Sequence, residues 1–580
     1  MARQIELLRP TQVVFVCAML VAAGIAGQAR QQATQGGSSP ALRVTTHLVQ
    51  VNVIVTDQHG NPVSGLTKED FSVLDDRKPQ EIRVFSSETG SLPVETPPAL
   101  PPGTYSNRLK DGASAPSSVT VILLDALNTD FAEQALTRAQ VLKFLAQVRP
   151  RERIALYWLG NGLYALQEFT SDVASLREAL ARTAAKPSHD LSESDTSYLS
   201  LHNPNPSAPA GVTAGQTSNR DAFRAAFDQR VANESVKNRA SLTAGALIAI
   251  AHHIGPLEGR KNLVWVSGSF PFSLGQEKFD LNWQSETGVG LSAEIGRAAE
   301  ALSDAGVAIY PVDARGLMGT GLTAAGDMQE APPPEFSGDE HLPSRVAPDN
   351  LDTMKILAER TGGKAFYGSN DLSDAIRRAI DDCRISYTVG FYPLGTAWDG
   401  RFHTIKVRVK TRGAQVRARA GYFALPDSAS APPKSVARMI AETAASRLEA
   451  TAIGMRVDLQ RGNLGGDRAV EVNLHLDPRD IEMQHINGSW TGQLQTVFLQ
   501  LDAHGQIVDA LDETLQIKLA QESYEQALRG GIKNTKRLRV APGASELSIV
   551  LRDPANGNLG SLIIPFERYR EAPGDPQGEP

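Results

Sequence analysis

Val121-Ile122-Leu123-Leu124-Asp125-Ala126-Leu127-Asn128-Thr129-Asp130 is the stretch that decides the fold. An apolar run stops at an aspartate, a polar turn follows, and an amphipathic helix begins near Ala132. An apolar run bounded by turn residues is the pattern of a strand buried on both faces, which belongs in a parallel sheet. Functional residues in open α/β sheets gather at the carboxyl ends of such strands. Asp125 stands there, and its acidic tip is expected to face an open rim. Thr129 is placed to turn its hydroxyl toward the same crevice. A carboxylate beside hydroxyls, with room for water, is hard-oxygen chemistry that suits Mg²⁺.

Outward from this strand, residues 118–384 alternate strand and helix, the signature of a doubly wound, mostly parallel sheet with helices on both faces. Helix is expected over 132–148, 173–185, 221–254 (in one or two pieces), 292–305, 351–361 and 372–384. Strand is expected over 153–159, 261–266, 307–312 and 364–367, with an edge strand over 163–169. Two polar, Pro- or Ser-rich stretches, 186–220 and 318–346, read as mobile insertions.

Both flanks of this domain are β-rich. Residues 42–90 alternate apolar and polar around the turn Asp57-Gln58-His59-Gly60-Asn61-Pro62. About fifty residues is near the limit for an independent fold. Pairing of 42–90 with the strands of 385–425 in one sandwich solves that problem, and is expected. Residues 91–117 read as a linker and 426–450 as a helical linker. Residues 451–567 read as a C-terminal β-sandwich of immunoglobulin or fibronectin type, built from about seven short strands. Residues 30–41 and the tail 568–580 are expected to be flexible or disordered.

The start of the chain speaks to its compartment. Arg3 and Arg9 precede an apolar stretch over 13–25 and a small-residue segment to Ala29, the layout of a secretory signal over 1–29. An uncleaved anchor is the alternative. After cleavage Cys383 is the one cysteine left, so no internal disulfide supports the exported fold. The mature chain has no membrane span by sequence. Its net charge of -7, without a concentrated basic patch, argues against a nucleic-acid partner.

Taken together, the ordered segments resemble a von Willebrand factor type A domain. More narrowly, they resemble the secreted bacterial family described as acidobacterial von Willebrand factor A-related proteins. The resemblance rests on Val51-Asn52-Val53-Ile54-Val55-Thr56-Asp57, Gly65-Leu66-Thr67-Lys68-Glu69-Asp70-Phe71, Leu124-Asp125-Ala126-Leu127-Asn128-Thr129 and Gly259-Arg260-Lys261. It continues through Leu357-Ala358-Glu359-Arg360-Thr361-Gly362-Gly363, Tyr387-Thr388-Val389-Gly390-Phe391-Tyr392-Pro393, Asp399-Gly400-Arg401-Phe402-His403 and Gly421-Tyr422. The match runs over roughly 42–424.

That family implies a non-enzymatic binding scaffold with a divalent ion in a site called MIDAS, where a ligand's carboxylate completes the coordination. The fingerprint is Asp-x-Ser-x-Ser, a Thr in a later loop and an Asp after a later strand. Asp125 and Thr129 match the first and last positions of the triplet, while Leu127 holds the middle one and cannot ligate. Thr243, taken as opening a helix over 244–254, is the candidate loop hydroxyl, and Ser267 stands where the distant aspartate belongs. Asn128 or Asp130 are candidates to compensate. Two readings stay open: a weak, degenerate Mg²⁺ or Ca²⁺ site, or a metal-free structure in which Asp125, Asn128 and Thr129 cap the following helix.

Other chemistry is thin. His252-His253 lacks the glutamate spacing of a zinc protease and suits a helix end. Ser267-Gly268-Ser269 lacks the framing of a nucleophile elbow. Asp313, at the carboxyl end of its strand, is a candidate to support the crevice. The sequence therefore points to an exported binding or adhesion protein for a protein or extracellular polymer. A structural or assembly component of the cell envelope is the first alternative, and an unrecognised hydrolase the second.

Overall fold

The computed structural model describes residues 48–88, 100–101, 103–109, 118–149, 152–183, 219–257, 259–268, 291–316, 351–382, 385–393, 398, 401–424, 432–464 and 467–566. The expected signal segment, the two insertions apart from Asn219 and Arg220, Cys383 and the tail beyond 567 lie outside the described residues. No described helix is long and apolar enough to cross a membrane.

Strand Ser118–Asp125 lies in the middle of a five-stranded sheet. It pairs parallel with Ile154–Leu159 on one side and with Arg260–Ser267 on the other. Val307–Asp313 extends the sheet in parallel, and Leu163–Thr170 closes the opposite edge antiparallel. Lys364–Tyr367, expected as a strand, contributes only a parallel bridge between Phe366 and Val312.

The apolar run is explained by what it meets on each face. Val119, Val121 and Leu123 enter one core with helices Asn219–Ile254, Leu291–Asp304 and Leu351–Thr361. Ile122 and Leu124 enter a second core with helices Phe131–Leu145, Val173–Arg182 and Leu372–Asp381. Each such side chain contributes about 1.5–3 kcal/mol by leaving water. By the same alternation Asp125 falls on the Asn219–Ile254 side.

The flanks form one unit. Val49–Thr56 pairs antiparallel with Ser386–Phe391, setting Val51 opposite Val389 and Val53 opposite Tyr387. A second sheet carries Phe71–Asp75 beside Phe402–Val409, and Gly421–Phe423 pairs with the latter. Val51, Val53, Phe71, Val73, Tyr387 and Phe391 share its core. Neither half has a complete sheet without the other.

The tail holds two antiparallel sheets around one core. One carries Met455–Leu464, Asp467–Leu476 and Ile532–Arg539; the other carries Gln484–Ile486, Ser489–Leu501, Ile507–Ala520, Glu546–Arg552 and Leu559–Pro565. Helix Gln521–Gly530, which the alternating pattern hid, interrupts the strands. Helix Pro433–Ala445 is docked rather than free: Val436, Ile440 and Ala444 pack on Val497, Leu499, Leu501 and Val550.

The expected linker over 91–117 needs correction. Thr104–Ser106 is an edge strand of the tail, antiparallel to Met455–Leu464. Buried Asn107 locks it, donating to the Ala450 and Ile453 carbonyls at 2.7 and 2.9 Å and accepting from the Met455 N–H at 2.7 Å. The Pro-rich surroundings conceal a three-residue strand whose partner is some 350 residues away. Replacing Asn107 by Ala is expected to cost about 3 kcal/mol, at about 1 kcal/mol per hydrogen bond. Urea unfolding checks this, since a linker residue would change stability by less than about 0.5 kcal/mol.

Candidate functional site

The crest of the parallel sheet joins four of the six sequence-identified residues, Asp125, Asn128, Thr243 and Ser267, and leaves Thr129 and Asp130 out of the cluster. Asp125 ends its strand directly opposite Ser267. Its carboxylate is 2% exposed, so the expectation of an acidic tip facing an open rim is corrected. Oδ1 accepts from the Asn128 backbone N–H at 3.0 Å and from Asn128 Nδ2 at 3.1 Å. Oδ2 accepts from Asn128 Nδ2 at 2.9 Å, Trp265 Nε1 at 3.0 Å and Ser267 Oγ at 2.8 Å. Burial pushes the carboxyl above its ordinary range, against the hydrogen bonds from Asn128, Ser267 and Trp265 that pull it down.

Thr243 does reach the cluster, but from inside a helix. Asn219–Ile254 is continuous, and the Thr243 hydroxyl donates to the Arg239 carbonyl one turn back at 2.8 Å. The helix start expected at 244 is therefore corrected: the helix runs through Thr243 without a cap. The same hydroxyl oxygen accepts from Asn128 Nδ2 at 2.9 Å. Thr129 is turned elsewhere, its Oγ1 accepting the Gly268 N–H at 2.8 Å. Leu127, at the middle fingerprint position, packs into the core. Asp130 is exposed, stands before helix Phe131–Leu145, and takes no part in the cluster.

Sequence reasoning missed Trp265, Gln134 and Arg315. Trp265 sits in an apolar run, where its indole N–H was the one overlooked signal: a buried indole needs an acceptor. Gln134 braces the turn, donating to the carbonyls of Ala126 and Thr129 at 3.2 and 2.9 Å. Asp313 ends the neighbouring strand and pairs with Arg315 at 2.8 Å. Glu133, Arg315 and exposed Asp130 then form a charged rim, and burial with the nearby Asp130 charge raises the Glu133 carboxyl.

A hard divalent ion needs several oxygens with free lone pairs aimed at one point. Here Asn128 Nδ2 lies between both Asp125 oxygens and Thr243 Oγ1, bridging them as a cation would. Turning the Asn128 amide over would set its oxygen against a carboxylate, so the network fixes its orientation. Asn128 Oδ1, the leftover acceptor, has no donor among the described residues. The donor set as it stands does not fit Mg²⁺ or Ca²⁺. The helix-capping alternative is corrected too: Asp125 holds the N–H and amide of Asn128 in the turn, whereas helix Phe131–Leu145 begins after Asp130 with no side-chain cap.

No serine chemistry is assembled either. Ser267 Oγ gives its proton to Asp125, and no described histidine joins the cluster. His253 lies at the opposite end of its helix, with Nδ1 2.6 Å from the Glu449 carbonyl oxygen.

No protein-family model matches the chain, and no curated protein does. Solved structures similar to it include an aerotolerance-related membrane protein from Bacteroides fragilis and BatB from Bacteroides thetaiotaomicron. Each is 16% identical, covering 46% of this chain and 98% of the other, with a TM-score of 0.23. The ArnB paralog VWA2 from Sulfolobus acidocaldarius is 8% identical, covering 85% of this chain and 74% of its own, with a TM-score of 0.18.

The crest makes a specific prediction. Asn128→Asp sets a second buried carboxylate against Asp125, and an uncompensated buried charge costs about 3–5 kcal/mol. Thermal unfolding in EDTA should show that loss. Millimolar Mg²⁺ should recover part of it in the variant and leave the parent's melting temperature unchanged.

Proposed function

We propose that this chain is an exported, non-enzymatic binding or adhesion protein of von Willebrand factor type A character, whose crest engages a protein or extracellular polymer. The observation that carries the reading is the surface over the sealed Asp125 cluster. Phe131 stands 56% exposed next to the charged Asp130 and Glu133, with Arg315 near Glu133, and Tyr164 stands 49% exposed at the same end of the sheet on the edge strand Leu163–Thr170. Exposed aromatic side chains next to charges are the composition of a contact surface rather than of a reaction centre.

Topology supports the same end of the domain. Strands Arg260–Ser267 and Val307–Asp313 both end on this side, at the carboxyl edge of the parallel sheet. Loops on that side of an α/β sheet carry recognition. The flanking sandwich holds the other end: Arg417 pairs with Asp382, and Arg419 donates to Ser303 at the close of helix Leu291–Asp304. On this reading the metal of the type A fold is replaced by Asn128, and binding needs no ion at the crest. The tail, with its two antiparallel sheets, serves as an immunoglobulin-like spacer. Export rests on the signal-like residues 1–29.

The second reading, envelope assembly, is favoured by exposed Ile486 and Val508 on the tail strands. Photo-crosslinking residues placed at Phe131, Tyr164 and Ile486 of the full chain, in its native host, separate the two. Capture of the same partner from Phe131 and Tyr164, reduced at least tenfold by Arg315→Glu, is the expected result. Capture from Ile486 alone replaces the crest reading with assembly.

A further inference from the structure

Arg401-Phe402-His403 and Gly421-Tyr422, from two segments quoted for the family resemblance, play no part at the crest. They converge in the flanking sandwich. Phe402–Val409 lies between Gly421–Phe423 and Phe71–Asp75, which brings His403 over the turn after Asp75. In that turn Asp76 and Arg77 both have positive φ, 44° and 70°, as a two-residue hairpin of type I′ requires.

His403 Nδ1 lies 3.3 Å from Asp75 Oδ1 and 3.1 Å from Asp76 Oδ2. The other oxygen of each carboxylate is held from outside the trio. The Tyr422 hydroxyl donates to Asp75 Oδ2 at 2.9 Å, and the Thr404 N–H donates to Asp76 Oδ1 at 2.9 Å. One oxygen of each aspartate is thereby left to converge on a single imidazole nitrogen. One N–H at that nitrogen cannot serve both acceptors fully, so the arrangement carries one acceptor too many for a hydrogen bond.

It has the right count and spacing for a metal. All three ligand atoms lie within 4.8 Å of one another. Ligands about 2.0–2.1 Å from a tetrahedral Zn²⁺ stand about 3.3 Å apart, close to both measured separations. The surroundings resemble the supporting contacts of metal sites, in which each ligand's second polar atom is fixed. Tyr422 also rests against the imidazole, ring centroids 5.3 Å apart. Asp75 is buried, while Asp76 is exposed and leaves a way in and a fourth position for water.

We propose that Asp75, Asp76 and His403 form a binding site for a divalent first-row ion of the Zn²⁺ type, clipping hairpin Phe71–Gln80 to strand Phe402–Val409. Imidazole with two carboxylates is a borderline donor set that suits Zn²⁺, whereas Ca²⁺ asks for six to eight oxygens. The joined residues are 328 positions apart and bracket the whole α/β domain. A link that closes so long a loop restrains the unfolded chain strongly. The site is independent of the crest, so its failure leaves the proposed function standing.

The test uses the full chain stripped with EDTA. Zn²⁺ is titrated against a chromophoric chelator, and Co²⁺ serves as a spectroscopic probe. One bound equivalent, a rise of a few degrees in Tm, and visible Co²⁺ bands of a tetrahedral site are expected. His403→Gln and Asp76→Asn should each weaken Zn²⁺ at least tenfold and abolish the bands. Asp76 is exposed, so its variant keeps the fold, which far-UV circular dichroism verifies. Absence of binding at ten equivalents of Zn²⁺, or binding unchanged in both variants, overturns the site.

Discussion

A carboxylate taken out of water must find its partners inside the protein, and Asp125 draws the top of the α/β domain together by that demand. Its donors come from two places, the turn after its own strand and the neighbouring strand through Trp265 and Ser267, and the Asn128 amide also donates to Thr243 on helix Asn219–Ile254. Strand, turn, sheet neighbour and covering helix therefore have one register that satisfies everything. A shift of any of them strands a buried charge, which costs more than the hydrogen bonds return when they are made. The sealed crest is thus a consequence of burial, and the exposed rim above it is free to vary without disturbing the sheet.

Much of this was legible in the sequence because it is written in alternation. The run 119–124 could satisfy two opposite faces only between two helical layers, and the structure places its residues into two cores. Asp125, Asn128, Thr243 and Ser267 were each named from position, and they do meet, while Thr129 turns to the Gly268 N–H. What alternation cannot show is where a side chain turns. Whether Asn128 points at Asp125 or away depends on Thr243, more than a hundred residues later, and that difference separates a metal cradle from a filled one. Thr243 itself was misplaced at a helix start because the residues before it are polar, although the backbone runs straight through. The edge strand Thr104–Ser106 escaped for a related reason: a strand of three residues has too few positions to display a period.

The segments behind the family resemblance divide by physics. Several are architectural. Gly363 approaches Ile309 so closely that a Cβ would lie 1.8 Å from its carbonyl oxygen, and Gly362 before it has φ +79°. Lys261 closes a helix end by donating to the Gly255 and Leu257 carbonyls, while Arg260 is buried against Asn262 and Tyr310. Such residues are fixed by geometry and reveal nothing of a ligand. His403 and Tyr422 differ in kind. No backbone approach or helix end requires an imidazole beside two carboxylates.

The position of that trio gives it a mechanical meaning. The chain enters the α/β domain at Ser118 after the tail's edge strand Thr104–Ser106 and returns to the flanking sandwich after Asp382, both at the amino-terminal edge of the parallel strands, opposite the crest. Under the proposed function, a load applied at the crest would pass down the central strands into the sandwich, whose two sheets are each assembled from segments on either side of the insertion. Backbone pairing such as Val51 with Val389 resists their separation along the strands. The hairpin turn at Asp76 lies at the end of its pairing with Phe402–Val409, where a ladder begins to peel. An attachment at that end acts on the first bonds to break, so a single clip there protects every rung behind it.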